Sequence, residues 1–198
     1  MRKLFSLAFV LALFLPTAAK AAADKYVYDP VHTQIMFSVS HLGFSFPHGK
    51  FNKFSGGFTF DQENPEAAQA DITIDTDSLD MDSADWEKHL KSPDFFNVEK
   101  FPAMRFKSTK VVKTGEKTAD VTGDFTLLGV TKPVTLHVAF NKAGVHAFNK
   151  NHIAGFSLSG TLKRSDFGMT YALPLVGDDV NLIIQVEGIR QDFTHDNK

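Results

Sequence analysis

The run ADVTGDFTLLGVTKPVTLHVAF, residues 119–140, places apolar or small side chains on every second residue, twice over. Ala119, Val121, Gly123, Phe125 and Leu127 share one face of a first segment, and Val134, Leu136, Val138 and Phe140 share one face of a second. Asp120, Thr122, Asp124, Thr135 and His137 take the opposite faces. Period two is the signature of a strand with one side buried and one side in water. Residues 128–133, with Gly129 and Pro133, are expected to turn the chain between the two strands.

The same alternation extends outward in both directions. Upstream it recurs through Ile35, Phe37 and Val39, then Phe54, Phe58 and Phe60, then Ala70, Ile72 and Ile74, then Met104, Phe106 and Ser108. Downstream it recurs through Ala154, Phe156, Leu158, Gly160 and Leu162, and through Val180, Leu182, Ile184, Val186 and Gly188. With turn chemistry at 61–65, 113–117 and 141–144, this predicts an all-β domain of eight antiparallel strands. Eight two-faced strands must close or split into two sheets to bury one face, and closure removes the exposed edges. A barrel of about eight strands is just wide enough to be filled by side chains or to hold one small ligand.

Only residues 82–91 break the pattern. Ser83 or Asp82 can cap a helix there, Asp85 and Glu87 suit its N-terminal dipole, Trp86 and Leu90 are i,i+4 partners, and Lys88 and Lys91 fall near its end. Ser92-Pro93 then begins a short turn followed by Phe95, Phe96 and Phe101. This aromatic insert between the third and fourth strands is expected to cover a barrel mouth, as a lid or as a plug.

At the N-terminus, Arg2 and Lys3 precede an apolar stretch over 4–15 and small residues through Ala21, the pattern of a secretory signal peptide cleaved after Ala21 or Ala23. The expected mature domain is 22–198, in the periplasm. The chain has no cysteine, so neither a lipid-anchored cysteine nor a disulfide is available. Loss of Arg2, Lys3 and Lys20 leaves 18 basic against 23 acidic residues, a net charge of −5, which argues against nucleic acid as a partner.

Catalytic motifs are weak. Residues 155–159, GFSLS, lack the last glycine of a nucleophile elbow and lie mid-strand, and Asp166-Phe167-Gly168 has no phosphate loop before it and reads as a turn with an aromatic anchor. His32, His48, His137, His146, His152 and His195 show no ligand spacing, and the pairs Asp80/Asp82 and Asp178/Asp179 lack a calcium loop, so no metal site and no cofactor is expected. Of the 20 phenylalanines, 17 lie beyond the leader, mostly on the apolar strand faces. So many rings on inward faces furnish either a large core or the wall of an apolar cavity.

Residues 29–61 (DPVHTQIMFSVSHLGFSFPHGKFNKFSGGFTFD), 88–102 (KHLKSPDFFNVEKFP), 123–136 (GDFTLLGVTKPVTL), 154–168 (AGFSLSGTLKRSDFG) and 176–188 (VGDDVNLIIQVEG) resemble the YceI family of exported proteins. The resemblance implies a lipocalin-like eight-stranded barrel whose interior is an apolar tunnel for a polyisoprenoid or similar long-chain amphiphile. Family members often carry Arg-Asp where this chain has Trp86 and Glu87, so a head-group contact through that arginine does not transfer. The alternation then nominates Ile35, Phe37, Val39, Phe58, Phe60, Phe106, Phe125, Leu127, Leu136, Val138, Phe140, Phe156, Leu158, Leu182, Ile184 and Val186 as tunnel wall, with Trp86, His89 and Phe96 from the insert. Lys88, His89 and Lys91, with His41 and Arg105, are the candidates for a polar or phosphorylated head group. The expected role is a non-enzymatic carrier of a long-chain lipid, compatible with transient membrane contact and with a homodimer. Two alternatives stand beside it: a quinone-binding accessory of a membrane b-type cytochrome, and a barrel enzyme using His89 with Glu87 or Asp94 on a hydrophobic substrate.

Overall fold

The computed structural model describes residues 23–191, so the expected leader, the polar tail and His195 lie outside the described residues. In chain order the elements are β1 (Asp24–Tyr28), β2 (Gln34–His41), β3 (His48–Phe51), β4 (Phe54–Phe60), β5 (Gln69–Asp75), β6 (Leu79–Asp80), α1 (Ala84–Lys91), β7 (Ala103–Lys113), β8 (Thr118–Leu127), β9 (Val130–Val145), β10 (His152–Lys163) and β11 (Val176–Arg190). The hydrogen-bonded order β1-β4-β5-β7-β8-β9-β10-β11 returns to β1, and every pairing is antiparallel. The sheet is therefore a closed eight-stranded barrel, as the alternation predicts.

The three remaining strands continue staves of that barrel. β11 offers one edge to β10, and along its other edge residues 188–190 take β1 while residues 176–185 take β2. β1 and β2 are thus one stave broken at 29–33, β3 and β4 a second broken at 52–53, and β5 and β6 a third broken by a 3-10 turn at Thr76–Ser78. Sequence alternation finds β2, β4 and β5 but passes over β1, β3 and β6, which are too short to show a period.

Local structure also moves two expected turns: residues 141–144 lie within β9, where Lys142, Ala143 and Gly144 pair with β10, so that the chain turns between Val145 and His152, and the turn expected at 128–133 is shorter. Leu128 and Gly129 alone turn the chain, with φ of 51° and 76°, the paired left-handed geometry whose twist matches a two-residue hairpin. β9 resumes at Val130, and Pro133 lies within the strand instead of in the expected longer turn. It is tolerated because β9 pairs with β8 alone at that level, β10 joining only from His137 onward. On α1, Ser83 is the cap, its side chain accepting from Trp86 N–H.

The break at 29–33 is tied to β11 by backbone and side chain. Asp29 N–H donates to Glu187 O at 2.8 Å, and Thr33 Oγ1 donates to the same oxygen at 3.0 Å. Asp29 Oδ1 accepts from Val31 N–H, and Oδ2 lies 2.8 Å from His32 Nδ1. Burial opposes ionisation of Asp29, yet the bonds from His32 and Val31 prevail and hold its carboxyl below the usual range. The hydrogen bond and charge of Asp29 raise the His32 pKa. Asp29 therefore contributes stability that is lost as pH falls through its lowered pKa, and His32 contributes stability that is lost as pH rises through its raised one. We predict that His32→Asn lowers the melting temperature at about pH 5.5 and that this difference shrinks by about pH 9. Thermal melts at both values test it; an equal difference at the two would rule out the charged pair as the source.

Candidate functional site

Inward-facing side chains of the barrel bound a cavity of about 550 Å³, within the range of about 300–1,000 Å³ usual for small-molecule sites. Its wall includes Ile35, Phe37, Val39, Phe58, Phe60, Phe106, Phe125, Leu127, Leu136, Val138, Phe140, Phe156, Leu158, Leu182, Ile184 and Val186, with Trp86, His89 and Phe96 from the insert. Phe125, Val138, Leu158, Leu182 and Ile184 point inward yet keep partial accessibility. In a solid core such residues would be sealed against side chains from the opposite wall; here their accessible surface faces the void.

Not every inward ring faces open space. At the end where β7 meets β8 and β9 meets β10, Phe60 lies 5.0 Å from Phe156 and 5.3 Å from Phe140, and Phe58 lies 5.6 Å from Phe156 and stacks at 4.9 Å on Tyr26. At the end covered by α1, Phe37, Phe51 and Phe96 pack with centroids 5.4–6.2 Å apart. The cavity is thus waisted by two aromatic clusters, each of which also contributes wall. Trp86 and Leu90, one turn apart on α1, pack against the main core and border the cavity, so α1 roofs that end.

The polar groups of the cavity are unequally placed. At the α1 end, His89 sits edge-on to Phe95 at 5.1 Å and to Tyr171 at 5.8 Å, and His41 sits edge-on to Trp86 at 6.0 Å. Arg164, passed over in the sequence, joins them: only 3% exposed, it lines the cavity and donates to the carbonyls of Gly177 (2.8 Å), Val176 (2.9 Å) and Met169 (3.1 Å). Burial lowers its pKa, opposed by the charge of Asp178, whose carboxylate accepts from Ser165 N–H and Oγ–H. Tyr28, on the unanticipated β1, adds a phenol whose pKa is raised by burial first and by Asp71 second. At the opposite end the border is exposed and charged, with Glu63, Lys113, Glu116 and Lys117.

Three expected head-group residues are not on the wall. Arg105 stands on the outer face of β7, where its Nε donates to Asp71 at 2.8 Å, because the alternation that turns Met104 and Phe106 inward turns Arg105 out. Lys91 is drawn to Asp77 at 3.1 Å, and Lys88 projects from the exposed side of α1. Glu87, weighed as an acid/base partner of His89, instead accepts from Met81 N–H at 3.2 Å, and neither Glu87 nor Asp94 borders the cavity. Phe167 of the Asp166-Phe167-Gly168 turn is an anchor, 2% exposed and edge-on to Phe125 at 5.4 Å, with Gly168 at φ 86° closing the turn.

Metal donors converge at one place among the described residues. Asp29, His32 and Glu187 bring one ligand atom each within 4.8 Å of one another, on the outer side of the barrel. They do not border the main cavity; Asp29 and His32 hold each other at 2.8 Å, and the Glu187 carboxylate lies 3.9 Å from His32 Nδ1. No helix among the described residues is long and apolar enough to cross a membrane.

A family described as a YceI-like domain matches residues 26–188. The chain is 44% identical over 190 residues to a UPF0312 protein of Pseudomonas aeruginosa, covering 96% of this chain and 98% of that one. It is 43% identical over 187 residues to Protein YceI of Salmonella arizonae, covering 93% and 97%. Among solved structures, a YceI protein of Campylobacter jejuni is similar with a TM-score of 0.69 at 32% identity, over 77% of this chain and 90% of that chain. BcnA of Burkholderia cenocepacia shares the fold with a TM-score of 0.74 at 22% identity, over 81% and 98%. A polyisoprenoid-binding domain from Saccharophagus degradans shares it with a TM-score of 0.62 at 12% identity, over 85% and 99%. The match across nearly all the described residues and the closed barrel around its apolar hollow agree, and the chain belongs to the YceI-like family.

Proposed function

We propose that this protein binds and carries a long-chain isoprenoid or similar amphiphile in the periplasm, without chemical turnover. The observation that carries the reading is the set of inward aliphatic and aromatic side chains whose accessible surface faces the hollow of the barrel. The polyisoprenoid-binding domain that shares the fold points to the same ligand class, and the sequence pattern of a cleavable leader points to the compartment.

Physical chemistry explains why such a wall suits a carrier. Each buried CH₂ is worth about 0.8 kcal/mol, so a chain of several isoprene units would lose on the order of 20–30 kcal/mol in water. A bilayer relieves most of that already, so a dry hollow makes transfer close to neutral and leaves selection to length and head group. The α1 end is the place for the head. Arg164 supplies a buried positive charge there, and His41 and His89 supply imidazoles that can donate to a phosphate or accept from a hydroxyl.

Several outcomes test this reading. Protein purified from its own organism's periplasm should yield a stoichiometric long-chain amphiphile on organic extraction and native mass spectrometry; recovery of ligand-free protein alone would overturn the proposal. Val138→Trp, which pushes a larger side chain into the hollow, should cut retained lipid about tenfold or more while leaving the melting temperature within a few degrees, because the void accepts the added volume. His89→Ala should leave tail binding intact and shift the preference between geranylgeranyl phosphate and geranylgeraniol several-fold in competition assays; an unchanged ratio would remove His89 from the head-group site. Arg164→Leu strands three carbonyls and should cost about 3–5 kcal/mol in urea unfolding. A loss below about 1 kcal/mol would mean that the guanidinium does not hold the 169–177 segment.

A further inference from the structure

Residues 42–47 (LGFSFP) and 169–176 (MTYALPLV) meet at the α1 end of the barrel, and neither contains a charged residue. Leu42 N–H donates to Leu175 O at 2.9 Å, which binds one segment to the other, and His41 bridges to Ser45 to shape the first into a tight loop. Large apolar side chains on these segments are held outward: Phe44 is 87% exposed, Leu175 65%, Phe46 58%, Tyr171 47% and Leu42 46%. Scattered single exposures are ordinary, but a contiguous apolar patch on a chain with 22% charged residues marks a contact surface.

The patch also frames an opening. Pro47, Tyr171, Ala172 and Val176, from the same two segments, border the cavity together with His41, so the collar leads from the outer rim to the hollow. The far opening has a different rim, with Glu63, Lys113, Glu116 and Lys117. The exposed phenylalanine at that end, Phe148 on the β9–β10 loop at 90% exposure, does not border the cavity and is flanked by Lys142 and Lys150.

We propose that this uncharged collar docks end-on into the surface of a lipid bilayer, inserting Phe44, Phe46 and Leu175 among the acyl chains so that the cavity mouth opens directly onto the membrane. The proposal rests on the carrier reading, since a ligand insoluble in water must pass from bilayer to hollow without crossing solvent. A bilayer fits the collar better than a folded partner does. Its hydrocarbon demands no matching hydrogen bonds or charges, and the collar offers none beyond backbone and three hydroxyls, those of Ser45, Thr170 and Tyr171. Insertion by a few large apolar side chains at an interface is the energetics of a reversible anchor.

The test is flotation with vesicles of phosphatidylethanolamine and phosphatidylglycerol, using the mature protein. Wild type and the far-end control Phe148→Ser should float alike, and the double variant Phe44→Ser/Leu175→Ser should partition on the order of a hundredfold less. In vesicle-free solution the double variant should take up cis-parinaric acid as wild type does, because neither residue borders the cavity. If wild type takes up parinaric acid but does not float, the docking surface is refuted and the carrier reading stands. If it floats but takes up no parinaric acid, docking stands and the carrier reading falls. A wild-type dimer by light scattering that the double variant abolishes, with no flotation, would reassign the collar to contact between copies and overturn the proposal.

Discussion

A barrel that keeps its middle empty gives up the contacts across its interior that would otherwise stabilise it, so the unbroken ring of hydrogen-bonded strands is the constraint on which everything else rests. Each stave must be held by its neighbours on both sides. β11 shows what this demands: it pairs with β10 from Ile153↔Ile189 to Lys163↔Asp179, and its other edge is filled twice over, by β1 near its end and by β2 along the rest. The knot of hydrogen bonds from Asp29 and Thr33 to Glu187 O secures the one place where that edge changes partner.

Where the ring alone does not suffice, two aromatic clusters narrow the hollow toward its ends and brace the wall there. The Phe58, Phe60, Phe140 and Phe156 cluster and the Phe37, Phe51 and Phe96 cluster are small cores. Edge and tilted contacts of this kind add about 0.5–1.5 kcal/mol per pair beyond area burial. Close approach of backbone supports them. An added Cβ at Gly188 would strike the Phe58 ring, and one at Gly123 would strike Phe106, so these rings lie flat on strand positions that only glycine can leave clear.

How much of this is written in the sequence depends on length of pattern. β8, β10 and β11 carry five alternating residues or more, which fixes both the strand and the direction each side chain faces, and so Phe125, Leu158 and Ile184 are legible as wall before any fold is known. β1, β3 and β6 have five, four and two residues, too few to distinguish a period from chance, and Tyr28 is missed with them. Arg164 is hidden for another reason. It follows Lys163 at a strand end, where a basic pair reads as solvated, and only the fold reveals that Lys163 turns out to Asp179 while Arg164 turns in to three carbonyls. Lys88, Lys91 and Arg105 err in the opposite sense. A cation near an aromatic run looks like a head-group ligand until its own carboxylate or its exposed helix face is seen, as with Asp71 for Arg105 and Asp77 for Lys91.

The outer face decides how such a barrel can meet a membrane. Along its sides run Arg105 with Asp71, His137 with Asp120, Lys163 with Asp179, and the threonine pairs Thr122–Thr135 and Thr126–Thr131. Burying such rows in hydrocarbon would cost about 2–4 kcal/mol for each basic residue near the midplane, so the flanks cannot be the lipid-facing band of a membrane barrel. The ends remain. One is rimmed by Glu63, Lys113, Glu116 and Lys117, and the other by two uncharged segments that continue the apolar lining outward. At that second end the charges of α1, Lys88 among them, lie beside the collar, so the projecting side chains of Phe44, Phe46 and Leu175 are the part of the surface that can enter lipid without stripping water from a charge, and with them inserted the hollow faces the bilayer.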